Sequence, residues 1–262
     1  MIIEALLIGA FVGIVVGSLG AGGGILSVPI LVYLLGQDPH QATGLSLIIV
    51  GLTAAVSLAT RARGTDVAWR EGSLFALAGL TGTWAGSTLG PLVSASALML
   101  SFCALLGVVA LFMVRSHLSP VSSLPKAPVS QAAPSGVSTL VRVVVLATAT
   151  GFLTGFFGVG GGFAIVPALH LALRYPMKRA SATSLLVMVI TAAFGVVSRS
   201  LAGSFTITAE AGVMVALFTA ASMAGGIVGA RVTTRVPNRV LGLVFAALLV
   251  GVALSTLVAT LS

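Results

Sequence analysis

Charged residues are scarce in this 262-residue sequence. Asp, Glu, Lys and Arg together make up 7% of it, whereas hydrophobic residues make up 58%. A typical soluble domain is roughly one quarter charged, and 18 charged side chains could not cover the surface of a water-soluble fold of this length. The composition excludes an ordinary soluble enzyme, a disordered tail and a nucleic-acid-binding module. It predicts an all-α polytopic membrane protein.

Cysteine and acidic residues are also rare. Cys103 is the single cysteine, which excludes an intrachain disulfide and a cysteine-based metal site. The three histidines lack metal-ligand spacing, so we expect no metal and no cofactor. Five acidic residues stand against 13 Lys and Arg, a formal net charge of +8. The basic residues lie between apolar runs, where they orient membrane helices or line the route of an anion; we expect no nucleic-acid partner.

Stretches without Asp, Glu, Lys or Arg define the membrane segments, because about 20 apolar residues cross a bilayer core. Four runs fit one helix each: 41–60, 180–198, 211–230 and 240–262. Run 72–114 is long enough for two helices and has a Gly-Pro pair near its middle. Runs 5–37 and 143–173 are too long for one crossing and short for two.

The sequence repeats itself after 138 residues. The glycines at 13, 17, 20, 22, 23 and 24 and the proline at 29 lie over glycines at 151, 155, 158, 160, 161 and 162 and the proline at 167. Residues 116–139 hold four prolines and seven serines and are predicted to form a flexible cytoplasmic linker. The predicted organisation is therefore repeat 1 over 1–115, the linker over 116–139 and repeat 2 over 140–262.

Each glycine cluster is predicted to break its helix. Glycine weakens a helix, proline removes a backbone donor, and unpaired backbone groups in a membrane must face protein or a water-filled cavity. If every run crossed once, the two sides would carry seven and six Lys and Arg; if both broken runs turn back, they carry twelve and one. The positive-inside rule favours the second arrangement. We therefore predict two inverted repeats, each starting with a Gly-broken helical hairpin followed by three transmembrane helices.

The same charge distribution predicts the orientation. Both termini are expected outside, and the basic loops are expected in the cytoplasm: 61–71, 115–142, 174–179 and 231–239. Glu4 stands where a signal peptide carries a basic residue, so we expect an uncleaved first membrane segment. The predicted location is a plasma membrane of the bacterial inner-membrane type.

The doubled Gly-xx-Gly-x-Gly-Gly-Gly-xxxx-Pro segment, followed by an Ala/Thr/Ser-Leu stretch, resembles the TauE/SafE-type sulfite exporter family of membrane permeases. The resemblance covers nearly the whole chain apart from the linker. It implies transport of a small sulfur-containing or organic anion, such as sulfite or an organosulfonate. The family commonly has Thr before Ser in this stretch: the second copy keeps Thr183-Ser184, whereas the first has Leu45-Ser46.

Substrate-binding candidates lie at the glycine breaks and at the start of the next helix. A helix that begins after Gly24 or Gly162 would direct free N–H groups and its positive dipole end at the break, where an anion can bind; close packing alone is the alternative role of the glycines. Hydroxyl groups bind sulfonate oxygens, or cap and connect helices. The candidates are Gly20, Gly22, Gly23, Gly24, Ser27, Thr43, Ser46, Gly158, Gly160, Gly161, Gly162, Ser181, Thr183 and Ser184.

Two pairs of charged residues survive the repeat. Arg61 and Arg199 are expected at opposite mouths of the protein, where they attract an anion or extend their head groups to the membrane surface. Glu71 and Glu210 begin equivalent helices, where they carry coupling protons or stabilise the helix dipole.

Further glycines recur at every fourth position. Gly82-xxx-Gly86-xxx-Gly90 and Gly225-xxx-Gly229 are predicted to form ridges for helix packing, without a substrate role.

These features predict a secondary transporter of a small anion, working by alternating access, with the substrate bound at the two glycine breaks. Its other partners are the lipid bilayer and a coupling ion, H⁺ or Na⁺. A passive anion channel of the same architecture and a scaffolding membrane subunit are the alternatives. An intramembrane enzyme is disfavoured because the spans lack a catalytic constellation.

Overall fold

The computed structural model describes residues 2–20, 23–34, 36–62, 67–118, 137–173, 175–201 and 209–261, and these residues contain helices and no strand. The helices are α1 (Ile2–Leu19), α2 (Gly23–Pro29), α3 (Pro39–Arg61), α4 (Trp69–Leu89), α5 (Ala95–Leu118), α6 (Val137–Phe157), α7 (Gly162–Ala172), α8 (Met177–Leu201), α9 (Ala209–Arg235) and α10 (Asn238–Leu261). A π-helical turn over Ile30–Leu34 follows α2, and a 3-10 turn over Gly90–Leu92 joins α4 to α5. The predicted all-α class is confirmed.

Four helices in the described part of the chain are long and apolar enough to cross a membrane. They contain the spans Pro39–Arg61, Met177–Leu201, Val215–Arg235 and Asn238–Val258. Shorter apolar helical segments are Leu6–Leu19, Gly24–Leu34, Ala95–Leu111 and Val141–Phe157. Helix α4 has 21 residues but is not among the spans, because its glycine, serine and threonine residues lower its mean hydropathy.

Both oversized apolar runs are broken, as their glycines predict. Helix α1 ends at Leu19, and Gly20 follows with a φ of 66°. Between α6 and α7, Gly158, Gly160 and Gly161 have φ angles of 65°, 68° and 64°. This left-handed region is open to glycine without the steric cost that a β-carbon brings. Each run is therefore a long helix, a glycine break and a shorter helix.

The two halves interlock through their helices. Helix α1 packs along α9, and α4 packs along α6, so the first helix of each half pairs with the fourth helix of the other. Helices α3 and α8 cross each other and are the most buried of the four spans. The short helices α2 and α7 pack on α3 and α8, while α5 pairs with α10.

Glycine contacts set the register of these pairs. Along α1, Gly9, Gly13 and Gly17 face Phe218, Ser222 and Gly226 of α9 in turn. Along α4, Gly79, Gly82 and Gly86 face Ala147, Thr148 and Phe152 of α6 in turn. In both pairs later residues meet later residues, so the two helices run in the same direction.

The central pair has the opposite register. Leu47 of α3 lies against Gly195 of α8, Gly51 lies against Ala192, and Arg61 bonds Ser181. Helices α3 and α8 are therefore antiparallel.

The glycine ridges predicted from spacing are packing surfaces. A β-carbon on Gly82 or Gly86 would overlap a backbone carbonyl oxygen of α6, and one on Gly225 or Gly229 would overlap a carbonyl of α1. Such close approach of helix backbones is the usual role of small residues in membrane helices. The predicted ridges are confirmed, and their partners are the glycine-rich faces of α1 and α6. Most of the predicted linker, residues 119–136, lies outside the described residues.

Candidate functional site

The two glycine breaks contact each other at the centre of the protein. Gly24, at the start of α2, has no room for a β-carbon because the carbonyl oxygen of Val159 occupies that space. A β-carbon on Gly160 would lie 2.5 Å from a methyl group of Val50 and 3.6 Å from the Cε atom of Met188. Val50 and Met188 lie near the middle of α3 and α8, so the breaks meet beside the crossing of these helices.

The first break packs on the start of α8. The space beside Gly20 is filled by the backbone and side chain of Ser181. Ser184 Oγ donates hydrogen bonds to the carbonyl oxygens of Gly20, at 2.6 Å, and Ser181, at 2.8 Å. Arg61 Nη1 donates to Ser181 Oγ at 2.9 Å, and Nη2 donates to the carbonyl of Lys178 at 3.2 Å. Four predicted residues thus form one buried cluster.

The second break packs on the start of α3. Gly158 lies against the carbonyl of Thr43, whose Oγ1 donates to the carbonyl of His40 at 2.7 Å. Ser46 is fully buried, and its Oγ has no hydrogen-bond partner. Arg199 Nη2 donates to the carbonyl of Gly155 at 2.8 Å, just before the break. The break therefore has a neighbouring arginine and an unpaired hydroxyl.

Further predicted residues of the breaks lie within or next to α2 and α7. Gly23 and Gly162 begin α2 and α7. Ser27 is fully buried within α2, and a β-carbon on Gly161 would overlap the hydroxyl of Thr154. Gly22 lies outside the described residues.

Thr183 faces α4. The backbone N–H of Ala68 donates to Thr183 Oγ1 at 3.1 Å, and a β-carbon on Gly72 would lie 2.8 Å from the Thr183 methyl group. Ala68 precedes α4 and has no side-chain cap of its own. Thr183 thus satisfies a buried donor at the start of α4, and the hydroxyls near the first break are those of Ser181 and Ser184.

Replacing Thr183 with valine is expected to destabilise the protein by about 1–3 kcal/mol, because the buried N–H of Ala68 would lose its acceptor. Thermal unfolding of the purified protein in detergent measures the effect. Thr191→Val is the matched control, since Thr191 Oγ1 donates to carbonyl oxygens of its own helix. Equal unfolding temperatures for the two variants would contradict the prediction.

The two arginines are not at exposed mouths. Arg61 is 6% exposed and Arg199 is 2% exposed, so neither head group is open to solvent in this structure. Both guanidinium groups turn inward, where serine and backbone oxygens accept their hydrogen bonds. At a helix end near a membrane surface, tertiary packing decides whether an arginine side chain turns outward or inward.

The glutamates lie at the starts of their helices. Glu71 is in the first turn of α4 and half-buried, and Glu210 is the second residue of α9, with its side chain outside the described part. Glu71 lies near Tyr175, in the connection between α7 and α8. Burial raises the pKa of the Tyr175 hydroxyl, the Glu71 carboxylate raises this pKa further, and Arg179 opposes both effects. The tyrosine therefore stays neutral at physiological pH, and Glu71 lies near the start of α8, which carries Arg179.

Helix α3 carries two further buried hydroxyls that are not among the residues predicted from the sequence. Thr53 and Ser57 are fully buried and, like Ser46, have no hydrogen-bond partner. The steps of seven and four residues between the three put them on one helix face. This spacing is the feature of the sequence from which a shared helix face of the three hydroxyls could have been predicted. The three hydroxyls follow the buried face of α3 from the level of the second break towards Arg61.

One groove in the described part of the chain lies apart from these residues. A groove of about 620 Å³ between α4 and α6 is lined mainly by apolar side chains, and none of the predicted site residues lines it. Among the described residues, no three His, Cys, Asp or Glu side chains form a group that could hold a metal ion.

The apolar helices and their buried glycine breaks define an integral membrane protein. The sulfite exporter TauE/SafE family matches residues 5–256, and the chain belongs to this family. A probable membrane transporter protein of Xylella fastidiosa is 37% identical over 193 residues, which cover 72% of this chain and 71% of that protein. The probable membrane transporter protein YunE of Bacillus subtilis is 31% identical over 217 residues, with 75% and 77% covered.

A more distant relative has the same general description. A probable membrane transporter protein of Methanocaldococcus jannaschii is 28% identical over 200 residues, covering 74% of this chain and 70% of that protein. No solved structure matches the chain at a significant level. The family and its relatives show that this chain is a membrane transporter, and they indicate transport rather than catalysis.

Proposed function

We propose that this protein is a secondary transporter of a small anion, either sulfite or an organosulfonate, that works by alternating access. The observation that carries the proposal is the contact between the two glycine breaks beside the crossing of α3 and α8. Transporters commonly bind their substrates where discontinuous helices from two repeats meet. The substrate is bound between the breaks.

The helix directions support two inverted repeats. Helices α3 and α8 occupy equivalent positions in the two halves and are antiparallel. Helix α4 opposes α3, and α9 opposes α8, because short connections join them. Helix α1 is parallel to α9 and therefore to α3. Helix α6 is parallel to α4 and therefore to α8. Each broken run therefore enters and leaves on one side, and three crossings follow it.

The polar groups at the centre suit an anion. Glycine backbones allow close approach, and free N–H groups at the starts of α2 and α7 carry partial positive charge. Buried hydroxyls from Ser46, Ser181 and Ser184 lie at the helices against which the breaks pack. Hydroxyl and amide donors together bind the oxygens of a sulfite or sulfonate group. Close packing of the glycines alone would leave Ser46 without a partner.

The two halves differ in a way that alternating access requires. Arg61 bonds Ser181 of the opposite half, whereas Arg199, its counterpart in the repeat, bonds carbonyls at the end of α6 in its own half. Inverted repeats can exchange such unequal contacts when the protein opens to the other side. The Arg61–Ser181 bond holds one side closed in this proposal.

The proposed function includes an orientation of the protein in the membrane and a source of energy for transport. The protein lies in a plasma membrane of bacterial inner-membrane type, with both termini outside and the basic connections in the cytoplasm. A coupling ion, H⁺ or Na⁺, drives transport, and Glu71 and Glu210 are the candidates to carry a proton.

Uptake by the purified protein in liposomes tests this function. We expect saturable uptake of radiolabelled sulfite, accelerated by unlabelled sulfite on the opposite side, because a carrier exchanges its substrate. Empty liposomes are the control. Ohmic current without this acceleration would identify a passive anion channel instead. Absence of sulfite uptake by folded, monodisperse protein would contradict the proposed transport of sulfite, and methanesulfonate in the same assay tests the sulfonate alternative.

A further inference from the structure

Arg199 is a buried cation without an anionic partner among the described residues. It lies near the end of α8 and is 2% exposed. Its Nη2 atom donates to the carbonyl oxygens of Gly155, at 2.8 Å, and Phe156, at 3.4 Å, while its Nε atom has no hydrogen-bond partner. A buried guanidinium charge is costly unless an opposite charge and a full set of hydrogen bonds compensate it. Carbonyl dipoles supply only part of that compensation.

Ser87 is a second unpaired polar group in the same place. It lies one turn before the Gly90–Leu92 turn, is 1% exposed, and its Oγ atom has no hydrogen-bond partner. A β-carbon on Gly155 would be 2.9 Å from Ser87 Oγ, and one on Gly90 would be 3.4 Å from Arg199 Nη2. The arginine and the serine therefore both lie against the end of α6, where the absence of a side chain at Gly155 lets the backbones of α4 and α6 pack closely.

We propose that Arg199 and Ser87 form a binding site for a small oxyanion. The free Nε–H group of Arg199 and the hydroxyl of Ser87 donate hydrogen bonds to two oxygens of the anion, and the guanidinium supplies the opposite charge. A single positive charge fits a singly charged oxyanion, such as a sulfonate, better than a doubly charged one. This site deepens the proposed anion transport and rests on it, as a binding point on one side of the central breaks.

The repeat does not duplicate this site. Arg61, the counterpart of Arg199, donates to Ser181 Oγ and to the carbonyl of Lys178. The counterpart of Ser87 is Gly226, which has no hydroxyl. The proposed site therefore occurs once per chain, at the end of the protein where α4, α6 and α8 meet.

Binding of methanesulfonate to the purified protein in detergent tests the site, by calorimetry and by the ligand-induced rise in unfolding temperature. Ser87→Ala is expected to weaken binding about tenfold, because one hydrogen bond to a charged group is lost. The same change is expected to leave the ligand-free unfolding temperature equal or higher, since it removes an unpaired buried hydroxyl. If Ser87 had only a structural role, weaker methanesulfonate binding would be accompanied by a lower ligand-free unfolding temperature.

Arg199→Lys keeps the positive charge but removes the Nε donor, and it is expected to weaken binding on the order of tenfold or more. Two variants serve as matched controls and are expected to bind like the unmodified protein. Thr88→Ala removes a neighbouring hydroxyl that bonds carbonyls of its own helix, and Arg231→Lys changes an exposed arginine. If Arg199→Lys does not fold, Ser87→Ala alone decides.

The outcomes separate the site from the transport function. Unchanged methanesulfonate affinity in Ser87→Ala and in folded Arg199→Lys would overturn the site, even if the unmodified protein transports the anion. Loss of binding in both variants supports the site, even if the unmodified protein shows no uptake in liposomes. Sulfate binding at least as tight as methanesulfonate binding would overturn the assignment to a singly charged anion.

Discussion

Replacing Gly82 with leucine is expected to prevent the protein from folding. A β-carbon at this position would overlap the carbonyl oxygen of Thr148 and lie 2.8 Å from the backbone nitrogen of Phe152. Both neighbours are backbone atoms, so the helices α4 and α6 would have to separate along their length. Overpacking of this kind costs about 3 kcal/mol or more, which is a large part of the stability of a domain.

The yield of monodisperse protein after detergent extraction measures this effect. Gly107→Leu is the matched control: Gly107 lies in α5, another long helix, and a β-carbon there would meet nothing within 4 Å. We expect normal yield for Gly107→Leu and almost none for Gly82→Leu. A normal yield of Gly82→Leu would show that α4 and α6 do not pack as closely as the structure has them.

Replacing Gly158 with alanine is expected to abolish anion uptake. The residue has a φ of 65°, and a β-carbon would overlap the backbone carbonyl of Thr43. The left-handed conformation alone costs an L-residue about 1–2 kcal/mol. The overlap with α3 comes in addition, and it displaces the second break from the helix against which it packs. A break that is displaced cannot hold the substrate at the centre.

Gly36→Ala separates strain from displacement. Gly36 has a similar φ of 61°, but a β-carbon there would meet nothing within 4 Å. We expect Gly36→Ala to lower the unfolding temperature slightly and to keep sulfite uptake, whereas Gly158→Ala loses uptake in the same liposome assay. Equal uptake by the two alanine variants would argue against a role of the second break in transport.

Much of the helical framework could be predicted from the sequence because its causes are local. The spacing of ionisable residues marks the helices: run 41–60 becomes α3, and run 180–198 becomes α8. The glycine clusters predict where the long runs break, since the backbone angles at Gly158 and Gly160 are ones that glycine adopts freely. Four-residue glycine spacing likewise predicts close helix contacts.

The polar interior depends on tertiary structure and could not be predicted in the same way. Spacing does not tell whether an arginine at a helix end turns outward or inward, and both Arg61 and Arg199 turn inward. Thr183 looks equivalent to Ser181 and Ser184 in the sequence, yet it faces the start of α4, because the side chains of successive helix residues point in directions about 100° apart. Ser87 becomes informative only when Gly155 and Arg199 are known to lie beside it.

The pairing of α1 with α9 has a consequence for biosynthesis. Ser222 Oγ bonds the carbonyl of Gly9, a residue 213 positions earlier, and the glycine face of α1 meets its partner only along α9. Helix α1 enters the membrane first as the ribosome works, and most of the chain is made before α9 emerges. Until then the small-residue face of α1 is covered by lipid or by the insertion machinery, so assembly of the complete helix bundle is a late, post-insertion event.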